Sequence, residues 1–445
     1  MAIEQSLRLP CGAVLQNRLV KAAMTEGLAD PQLRATGRHV TLYRRWSEGG
    51  AGLLISGNVQ IDRWCLERPA NVAIDLTAGG DGPEARSRLK HWAQAATVGG
   101  NHFWMQIAHA GRQAPRYVSR QPLAPSAVQL ELLGNYARPR AITEDEILDF
   151  IQRFARVAVV GRECGFTGVQ LHAAHGYLLS SFLSPVTNRR TDAWGGSLAN
   201  RARFLLEAIR ATRRAVGADF PIAVKLNSDD FRKGGFTLEE CFEVVQLLNP
   251  EKLDLLEISG GSYEQPKLLG YEGRARDAVP MRESTRKREA YFLDYAAAIR
   301  KVAAMPLMVT GGFRTRAAMD EAITSGDCDL IGLGRPLCTH PDTPRRLLAG
   351  EIEAAPKYES QLYLRPRGLF SPTSPVLLFK ALNVIGALGW YYQQLFRLAD
   401  GLEPDLERGV LKAYFAYFAD ELAKAKLMRE ARRAPRPDSP PAALQ

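Results

Sequence analysis

Cysteine is scarce and scattered in this chain, and no two cysteines have the CxxC spacing of a metal or redox site. The six cysteines among 445 residues argue against a zinc site or an iron–sulfur cluster, so we expect no metal. Such thiols suit the reducing conditions of the cytoplasm, and a cytoplasmic location is therefore expected.

Long hydrophobic runs are also missing. The most apolar stretch, Ala381–Phe396, has 16 uncharged residues and falls short of the ~20 that cross a bilayer. A packed helix is the expected structure there, and no transmembrane segment is predicted. The first ten residues, MAIEQSLRLP, lack the apolar core of a signal peptide.

The chain has only a small excess of positive charge. Lys and Arg total 58 against 48 Asp and Glu, which gives a net charge of +10. An excess of this size favours small anionic ligands such as phosphates or nucleotides, and it does not by itself predict nucleic-acid binding. The hydrophobic fraction of 46% is typical of a globular enzyme with a large core.

Short apolar segments alternate with amphipathic helical patterns over the first 350 residues. Eight such repeats predict an α/β fold, the (β/α)8 or TIM barrel. A doubly wound sheet is the alternative, but the GxGxxG turn that usually follows its first strand is absent. The predicted strands are Leu19–Met24, Gly52–Ser56, His102–Ile107, Gly168–His172, Pro221–Leu226, Leu253–Ile258, Pro306–Thr310 and Asp329–Gly332. Residues 7–19 are expected to form a hairpin at the lower end of the barrel.

Glycines follow the seventh and eighth predicted strands, in LMVTGGFRTR and LIGLGRPL. Glycine lets the backbone approach a phosphate closely, and a helix that begins there offers free N–H groups. The loops after strands 7 and 8 are the usual phosphate site of this fold. We therefore predict a phosphate site at Gly311, Gly312, Gly334 and Arg335. Ordinary glycine turns are the alternative interpretation.

Polar residues end three of the earlier strands. Lys225 lies between Val224 and Leu226, so it is expected to face the barrel axis and an anionic partner such as a reduced flavin. A structural ion pair with a carboxylate is the alternative. Gln106 offers an acceptor and two donors to a pyrimidine-like ring, or is a satisfied core glutamine. The hydroxyl of Thr25 is a further candidate for contact with a cofactor.

The fourth predicted strand ends in GVQLHAAHGYLL, which brings His172, His175 and Tyr177 together within six residues. Two imidazoles at this spacing can donate hydrogen bonds to one oxygen and polarise a carbonyl, as an oxyanion hole does. Tyr177 can then protonate a neighbouring carbon as general acid. A zinc site would need a third ligand, which is not evident, and a purely structural role for the two histidines stays open.

Eight motifs together resemble the Old Yellow Enzyme family over roughly residues 5–350. They are NRLVKAAMTEG, LLISGNV, WMQIAHAGRQ, HAAHGYLLSSFLSPVTNRRTDAWGGSLANRARF, VKLNS, LEISGGSYE, VTGGFRTR and DLIGLGRPL. Members of this family are FMN-dependent oxidoreductases built on a (β/α)8 barrel. The resemblance therefore implies non-covalent FMN at the rim, meaning the C-terminal ends of the barrel strands, with NADH or NADPH as electron donor.

The resemblance also implies two sets of site residues. The implied flavin-binding residues are Ala23, Met24, Thr25 and Gly57 beside the ring, Gln106 and Lys225 at its pyrimidine part, and Gly311, Gly312, Gly334 and Arg335 at its phosphate. The implied substrate-binding residues are His172 and His175, with Tyr177 as proton donor. Ala23 and Trp194 depart from the Pro and Tyr that the family often has, and Lys225 replaces the Arg of some members.

The implied reaction reduces an electron-poor alkene, with hydride from flavin N5 and a proton from Tyr177. The expected substrate is a small molecule with a carbonyl or similar oxygen. An oxidative or demethylating flavoprotein of the same family is a second interpretation. A flavin-dependent RNA modifier is a third, but Glu421 precedes and Glu430 interrupts the basic stretch 424–436, and no aromatic stacking set accompanies it, so no nucleic-acid partner is expected. A flavin store without catalysis does not explain the complete set of two histidines and a tyrosine.

After Gly350 the strand alternation ends. We predict a barrel over 1–355, a helical extension over 356–433, and a disordered Pro-rich tail over 434–445. The extension is expected to pack on the barrel, on another subunit in a homo-oligomer, or on a membrane surface. Substrate choice is expected to depend on three long rim loops. These are Asp62–Val72, Gly111–Ile142 and Gly261–Thr285.

Overall fold

Eight strands in a computed structural model of the protein form one parallel sheet that closes on itself. They are β1 (Leu19–Lys21), β2 (Leu53–Ile55), β3 (His102–Ala108), β4 (Gly168–Ala173), β5 (Ile222–Asn227), β6 (Leu255–Ser259), β7 (Leu307–Thr310) and β8 (Leu330–Leu333). β8 pairs with β1, and β2 pairs with β3, so the ring is complete and the expected (β/α)8 barrel is confirmed. The structure describes residues 1–132, 134–261, 290 and 292–433. The predicted tail and residues 262–285 of the third rim loop lie outside these ranges.

Helices follow the strands, and several begin at a capping residue. The helices of the barrel are α1 (Gly37–Ser47), α2 (Pro83–Ala95), α3 (Glu144–Glu163), α4 (Leu178–Leu183), α5 (Leu198–Val216), α6 (Leu238–Leu248), α7 (Leu293–Ile299), α8 (Arg316–Thr324) and α9 (Thr343–Leu348). Thr143, Ser197 and Thr237 each accept a hydrogen bond from the backbone N–H three residues on. Each cap satisfies one of the free donors at the start of its helix, which fixes where α3, α5 and α6 begin.

The N-terminal hairpin pairs Leu7–Arg8 with Val14–Leu15. Leu9 and Leu15 share one apolar cluster with side chains of the barrel interior, so the hairpin closes the lower end as expected. The remaining short elements lie in the loops. They are the strands Val59–Gln60, Leu123–Ala124 and Arg140–Ala141, and the 3-10 helices Ala2–Glu4, Leu76–Ala78, Gly111–Gln113, Asn249–Glu251 and Arg335–Cys338.

Strand alternation decides which side chains face the barrel interior. Trp104 and Ala223 belong to the inner apolar cluster, whereas their neighbours Phe103 and Val224 belong to the outer cluster that packs against the helices. The inward-facing positions closer to the rim carry polar side chains instead of apolar ones. These are Gln106 on β3, Gln170 and His172 on β4, Lys225 on β5, Glu257 and Ser259 on β6, and Thr310 on β7.

The extension contains two long helices, α10 (Leu377–Ala399) and α11 (Val410–Arg433), which pack on each other and on the barrel. Trp390 of α10 is fully buried, and Arg38 of α1 forms an ion pair with Asp400 at the end of α10. Of the three surfaces considered from the sequence, the barrel is the one that this structure shows in contact with the extension. Among the residues that the structure describes, no helix is both long and apolar enough to cross a membrane.

Candidate active site

His172, His175 and Tyr177 meet at the end of β4. The ring centroids of His172 and Tyr177 lie 4.5 Å apart, and those of the two histidines lie 5.1 Å apart. Both pairs are nearly perpendicular, with interplanar angles of 74° and 75°. Tyr177 is the N-cap of α4 and is only 3% exposed. The spacing seen in the sequence therefore becomes one cluster of three rings.

His175 has an unusual backbone conformation, with φ of 61°. A residue other than glycine takes this left-handed conformation only when its surroundings hold it there. Its N–H donates to Asn227 Oδ1 at 3.0 Å, and its carbonyl accepts a hydrogen bond from the Gln113 side chain. The His175 ring is fixed as well, because Nε2 lies 2.6 Å from Ser259 Oγ.

The protonation of the two imidazoles follows from their surroundings. His172 Nδ1 accepts the Ala174 N–H at 3.2 Å, which leaves the proton of a neutral ring on Nε2. Burial lowers the pKa of both histidines well below 6.5, and the ammonium of Lys225 lowers it further. Both rings are therefore neutral at physiological pH, and each has one N–H to donate.

Lys225 faces the barrel axis and forms an ion pair with Glu257, with Nζ 2.9 Å from Oε1. Gln170 Nε2 donates to Glu257 Oε2 at 2.8 Å, and Gln106 Nε2 donates to Gln170 Oε1 at 2.7 Å. The structure therefore shows the alternative interpretation of each residue. Lys225 forms a structural ion pair with a carboxylate, and Gln106 is hydrogen-bonded within the core. The chain of four side chains crosses β3, β4, β5 and β6 and places a cation next to His172.

Glu257 and Gln170 were not predicted from the sequence. The available signal was a charged residue inside the apolar strand LLEIS, and a glutamine two residues before His172 on the same face of β4. Glu257 lies opposite Lys225 in the register of β5 and β6, which only strand pairing reveals.

The rim segments after β1 and β2 are joined around Gly57. Its N–H donates to Glu26 Oε1 at 2.8 Å, and Tyr43 OH also hydrogen-bonds to Glu26. Asn58 Nδ2 donates to Thr25 Oγ1 at 3.2 Å. Met24 reaches the rim of β8, where its Sδ lies 3.6 Å from Cys338 Sγ, and Ala23 precedes it in the same segment. The predicted residues Ala23–Thr25 and Gly57 are therefore neighbours in space.

Gly311 and Gly312 follow β7 with φ of 111° and 95°, a conformation that favours glycine. No heavy atom beyond the adjoining residues lies within 4 Å of the position that a Gly311 Cβ would take, so the backbone is open there. Thr310 Oγ1 is buried and has no hydrogen-bond partner among the described residues. Open space beside the Gly311 backbone and an unsatisfied Thr310 hydroxyl fit a polar ligand at this end of the barrel.

Arg335 follows Gly334 after β8 and pairs with Glu359, with a distance of 3.4 Å between Nη1 and Oε1. Arg314 pairs with the same carboxylate, and Tyr391 OH donates to Glu359 Oε2 at 2.8 Å. Burial would raise the pKa of Glu359, but the two guanidinium groups outweigh it and lower the pKa to about 2. Two arginines therefore lie beside the predicted phosphate site. Arg335 was predicted from the sequence, and Arg314 was not.

The sequence model of the NADH:flavin oxidoreductase / NADH oxidase family matches residues 11–353. The chain belongs to this family. It is 37% identical over 365 residues to the NADH-dependent flavin oxidoreductase iccE of Talaromyces variabilis, covering 78% of this chain and 86% of that one. It is also 37% identical over 355 residues to the NADH-dependent flavin oxidoreductase iliE of Neonectria sp., covering 76% of this chain and 46% of that relative. The chain thus spans less than half the length of the Neonectria protein.

Among solved structures, the chain is similar to the Old Yellow Enzyme homologue of Zymomonas mobilis. The two are 26% identical with a TM-score of 0.67, over 85% of this chain and all of the other. The resemblance to the Old Yellow Enzyme family is confirmed, and with it FMN as cofactor and NADH or NADPH as donor.

The residues at the rim fit FMN. Gly311 offers open backbone for the phosphate and Gly312 follows it, while Arg335 and Arg314, which both pair with Glu359 at this rim, can add positive charge. Lys225 supplies a cation inside the rim, which suits the negative edge of a reduced flavin. The individual contacts of these residues with FMN stay predictions.

Replacing Gly57 with alanine is expected to disturb the flavin side of the rim. A Cβ at this position would collide with Glu26 Oε2 and lie 2.6 Å from Met24 O, so the two rim segments would have to separate. Such overpacking costs about 1–3 kcal/mol, and we expect a lower melting temperature and weaker FMN binding. Calorimetry and FMN fluorescence titration measure the two effects. Gly37→Ala is the control, because its Cβ would meet nothing within 4 Å; equal effects of the two variants would contradict the prediction.

Proposed function

We propose that this flavin oxidoreductase reduces activated C=C bonds, such as those of enones or related electron-poor alkenes. The observation that carries the proposal is the convergence of two neutral imidazoles and a phenol at one strand end, next to the buried Lys225. FMN, when bound, supplies the redox chemistry by taking a hydride from NADH or NADPH and giving it from N5 to the β-carbon of the alkene.

His172 and His175 bind the oxygen that activates the alkene. Because each ring is neutral, each donates through one N–H rather than through a positive charge. His172 donates from Nε2, and His175 donates from Nδ1 when its Nε2 accepts the Ser259 hydroxyl. Two donors aimed at a carbonyl oxygen stabilise the negative charge that gathers there as hydride arrives at the β-carbon.

Tyr177 completes the reaction by protonating the α-carbon. Its ring is held perpendicular to His172, so the phenol lies beside the carbonyl that the imidazole binds. The reaction then balances, with one hydride and one proton added across the double bond. The tight packing of Tyr177 fixes the direction of its hydroxyl, which is what efficient general-acid catalysis requires.

An anaerobic spectral titration tests the proposal. NADH or NADPH is added to the FMN-loaded protein, followed by 2-cyclohexenone, and flavin absorbance is recorded with product analysis. We expect bleaching by the nicotinamide and recovery with the enone, with one cyclohexanone formed per flavin reoxidised. Recovery with oxygen but not with the enone would reject alkene reduction and indicate a different acceptor. If neither NADH nor NADPH bleaches the flavin, reduction of FMN by a nicotinamide donor is rejected.

A further inference from the structure

Helix α11 of the extension contacts the rim loops on the side of β1, β2 and β3. Lys424 Nζ donates to Gly27 O, in the segment after β1, at 2.8 Å. Arg432 donates to Arg63 O in the loop Asp62–Val72, hereafter the β2 loop, and to Val118 O after β3 at 3.2 Å. One helix from the C-terminal part of the chain therefore joins three successive loops of the barrel face that holds the site.

A further contact of α11 with the β2 loop is a buried ion pair between Arg68 of the loop and Glu421 of the helix. Their side chains are 3% and 1% exposed, and Arg68 Nε donates to Glu421 Oε1 at 3.1 Å. The guanidinium lies 3.9 Å above the ring of Tyr392 on α10, and Tyr117 OH donates to Glu421 Oε2 at 3.2 Å. A buried pair with this many partners holds one geometry, because moving either group would leave an uncompensated charge.

The β2 loop shares an apolar cluster with the candidate proton donor, Tyr177. Cys65 is 2% exposed and forms one apolar cluster with Ala110, Ala114 and Tyr177. Its Sγ donates to Gly111 O at 3.1 Å. Cys65, Ala110 and Ala114, hereafter the wall, are therefore the residues that share this cluster with Tyr177.

Helix α11 binds the β2 loop at residues before and after Cys65 in the sequence. Arg432 binds the carbonyl of Arg63, two residues before Cys65, and Glu421 binds Arg68, three residues after it. Gly27 makes room for this arrangement, since a Cβ there would lie 2.8 Å from Arg68 Cζ. Helix, loop and Tyr177 form one continuous set of contacts.

We propose that α11 holds the wall of the substrate site beside Tyr177, with Glu421 and Arg432 as positioning residues that act through the β2 loop. The extension thereby takes part in building the active site of its own chain. The inference rests on the proposed function only where it concerns proton transfer by Tyr177, and its structural part is independent of the reaction.

Arg432→Met is the variant that tests the anchor. Methionine keeps aliphatic packing but loses the N–H groups that bind Arg63 O and Val118 O, and no buried charge is left unpaired. Arg429→Met is the matched control, because Arg429 is exposed on the same helix and its Nε donates to Ala425 O within that helix. Arg432→Lys keeps the charge and a donor without the planar fork, so it is expected to restore part of any loss.

The first readout is the rate at which iodoacetamide labels Cys65 in the FMN-loaded protein, followed by mass spectrometry of the peptide. We expect labelling of Cys65 in Arg432→Met to be faster by about tenfold to a hundredfold, as for losing hydrogen bonds from a charged donor. Arg429→Met should label like the wild type. Equal protection of Cys65 in both variants would overturn the proposal, whatever reaction the enzyme performs.

The second readout is a double-mutant cycle between Arg432 and Tyr177. Stopped-flow absorbance gives the limiting rate constant of flavin reoxidation by 2-cyclohexenone. We expect Arg432→Met to slow this step in the wild type and to add nothing in the Tyr177→Phe background. Equal slowing in both backgrounds would overturn the role in positioning Tyr177. If the wild-type flavin is not reoxidised by the enone, the proposed function fails, and Cys65 labelling alone decides whether α11 holds the wall.

Discussion

Tyr177→Phe is expected to slow reoxidation of the flavin by 2-cyclohexenone roughly 10²–10⁴-fold, the range that a positioned general acid contributes. The loss should be confined to this half of the reaction, because hydride transfer from NADH to FMN needs no proton from Tyr177. FMN should remain bound and reducible at nearly the wild-type rate. Stopped-flow absorbance with each substrate in turn measures the two halves separately.

The substitution is conservative in shape. Tyr177 packs with Cys65, Ala110 and Ala114, and a phenylalanine ring keeps these contacts while it removes the hydroxyl. Tyr414→Phe serves as the control for loss of a tyrosine hydroxyl, since that ring packs on Phe415 and Phe418 of its own helix. An enone rate that is unchanged in Tyr177→Phe would remove Tyr177 from the acid role.

The second large effect is expected from the histidine pair. Removing one preorganised donor from an oxyanion site typically costs about 10²–10³ in rate, so His172→Ala and His175→Ala should each slow reduction of the enone by that order. Both variants should also bind phenol more weakly, because a phenolate oxygen offers the same acceptor as the carbonyl. Spectral titration of the oxidised enzyme with phenol measures this affinity without any turnover.

Phenol binding separates the proposed role from a structural one. If the histidines only support the fold, their loss should lower the melting temperature and leave phenol affinity of the folded fraction intact. That outcome would contradict carbonyl binding by the pair. His91→Ala is a suitable control, since His91 is exposed on α2 and α2 packs on the outside of the barrel.

The positions of the barrel strands could be predicted because each depends on local pattern. All eight predicted strands are present, and their alternation correctly directed Lys225 toward the barrel axis. The grouping of His172, His175 and Tyr177 was also predictable, because all three lie within six consecutive residues at the end of one strand. Their roles in catalysis stay predictions until the variants are measured.

Partners that are distant in the sequence were not predictable in this way. Lys225 and Glu257 are 32 residues apart, and only the pairing of β5 with β6 brings them level. Two arginines meet Glu359 because the start of the extension crosses the rim after β7 and β8. In each case the sequence showed a polar residue that needed a partner, but it did not show which residue the partner is.

The sequence by itself determined the barrel, the family and the three rings at the end of β4, because periodicity and motif spacing are properties of neighbouring residues. Only the tertiary structure decided where the extension lies and what it touches. Arg68 and Glu421 are 353 residues apart, and their pairing depends on how α10 and α11 dock on the folded barrel. Docking is selected by burial and by the cost of an unpaired charge, and both exist only once the chain has folded.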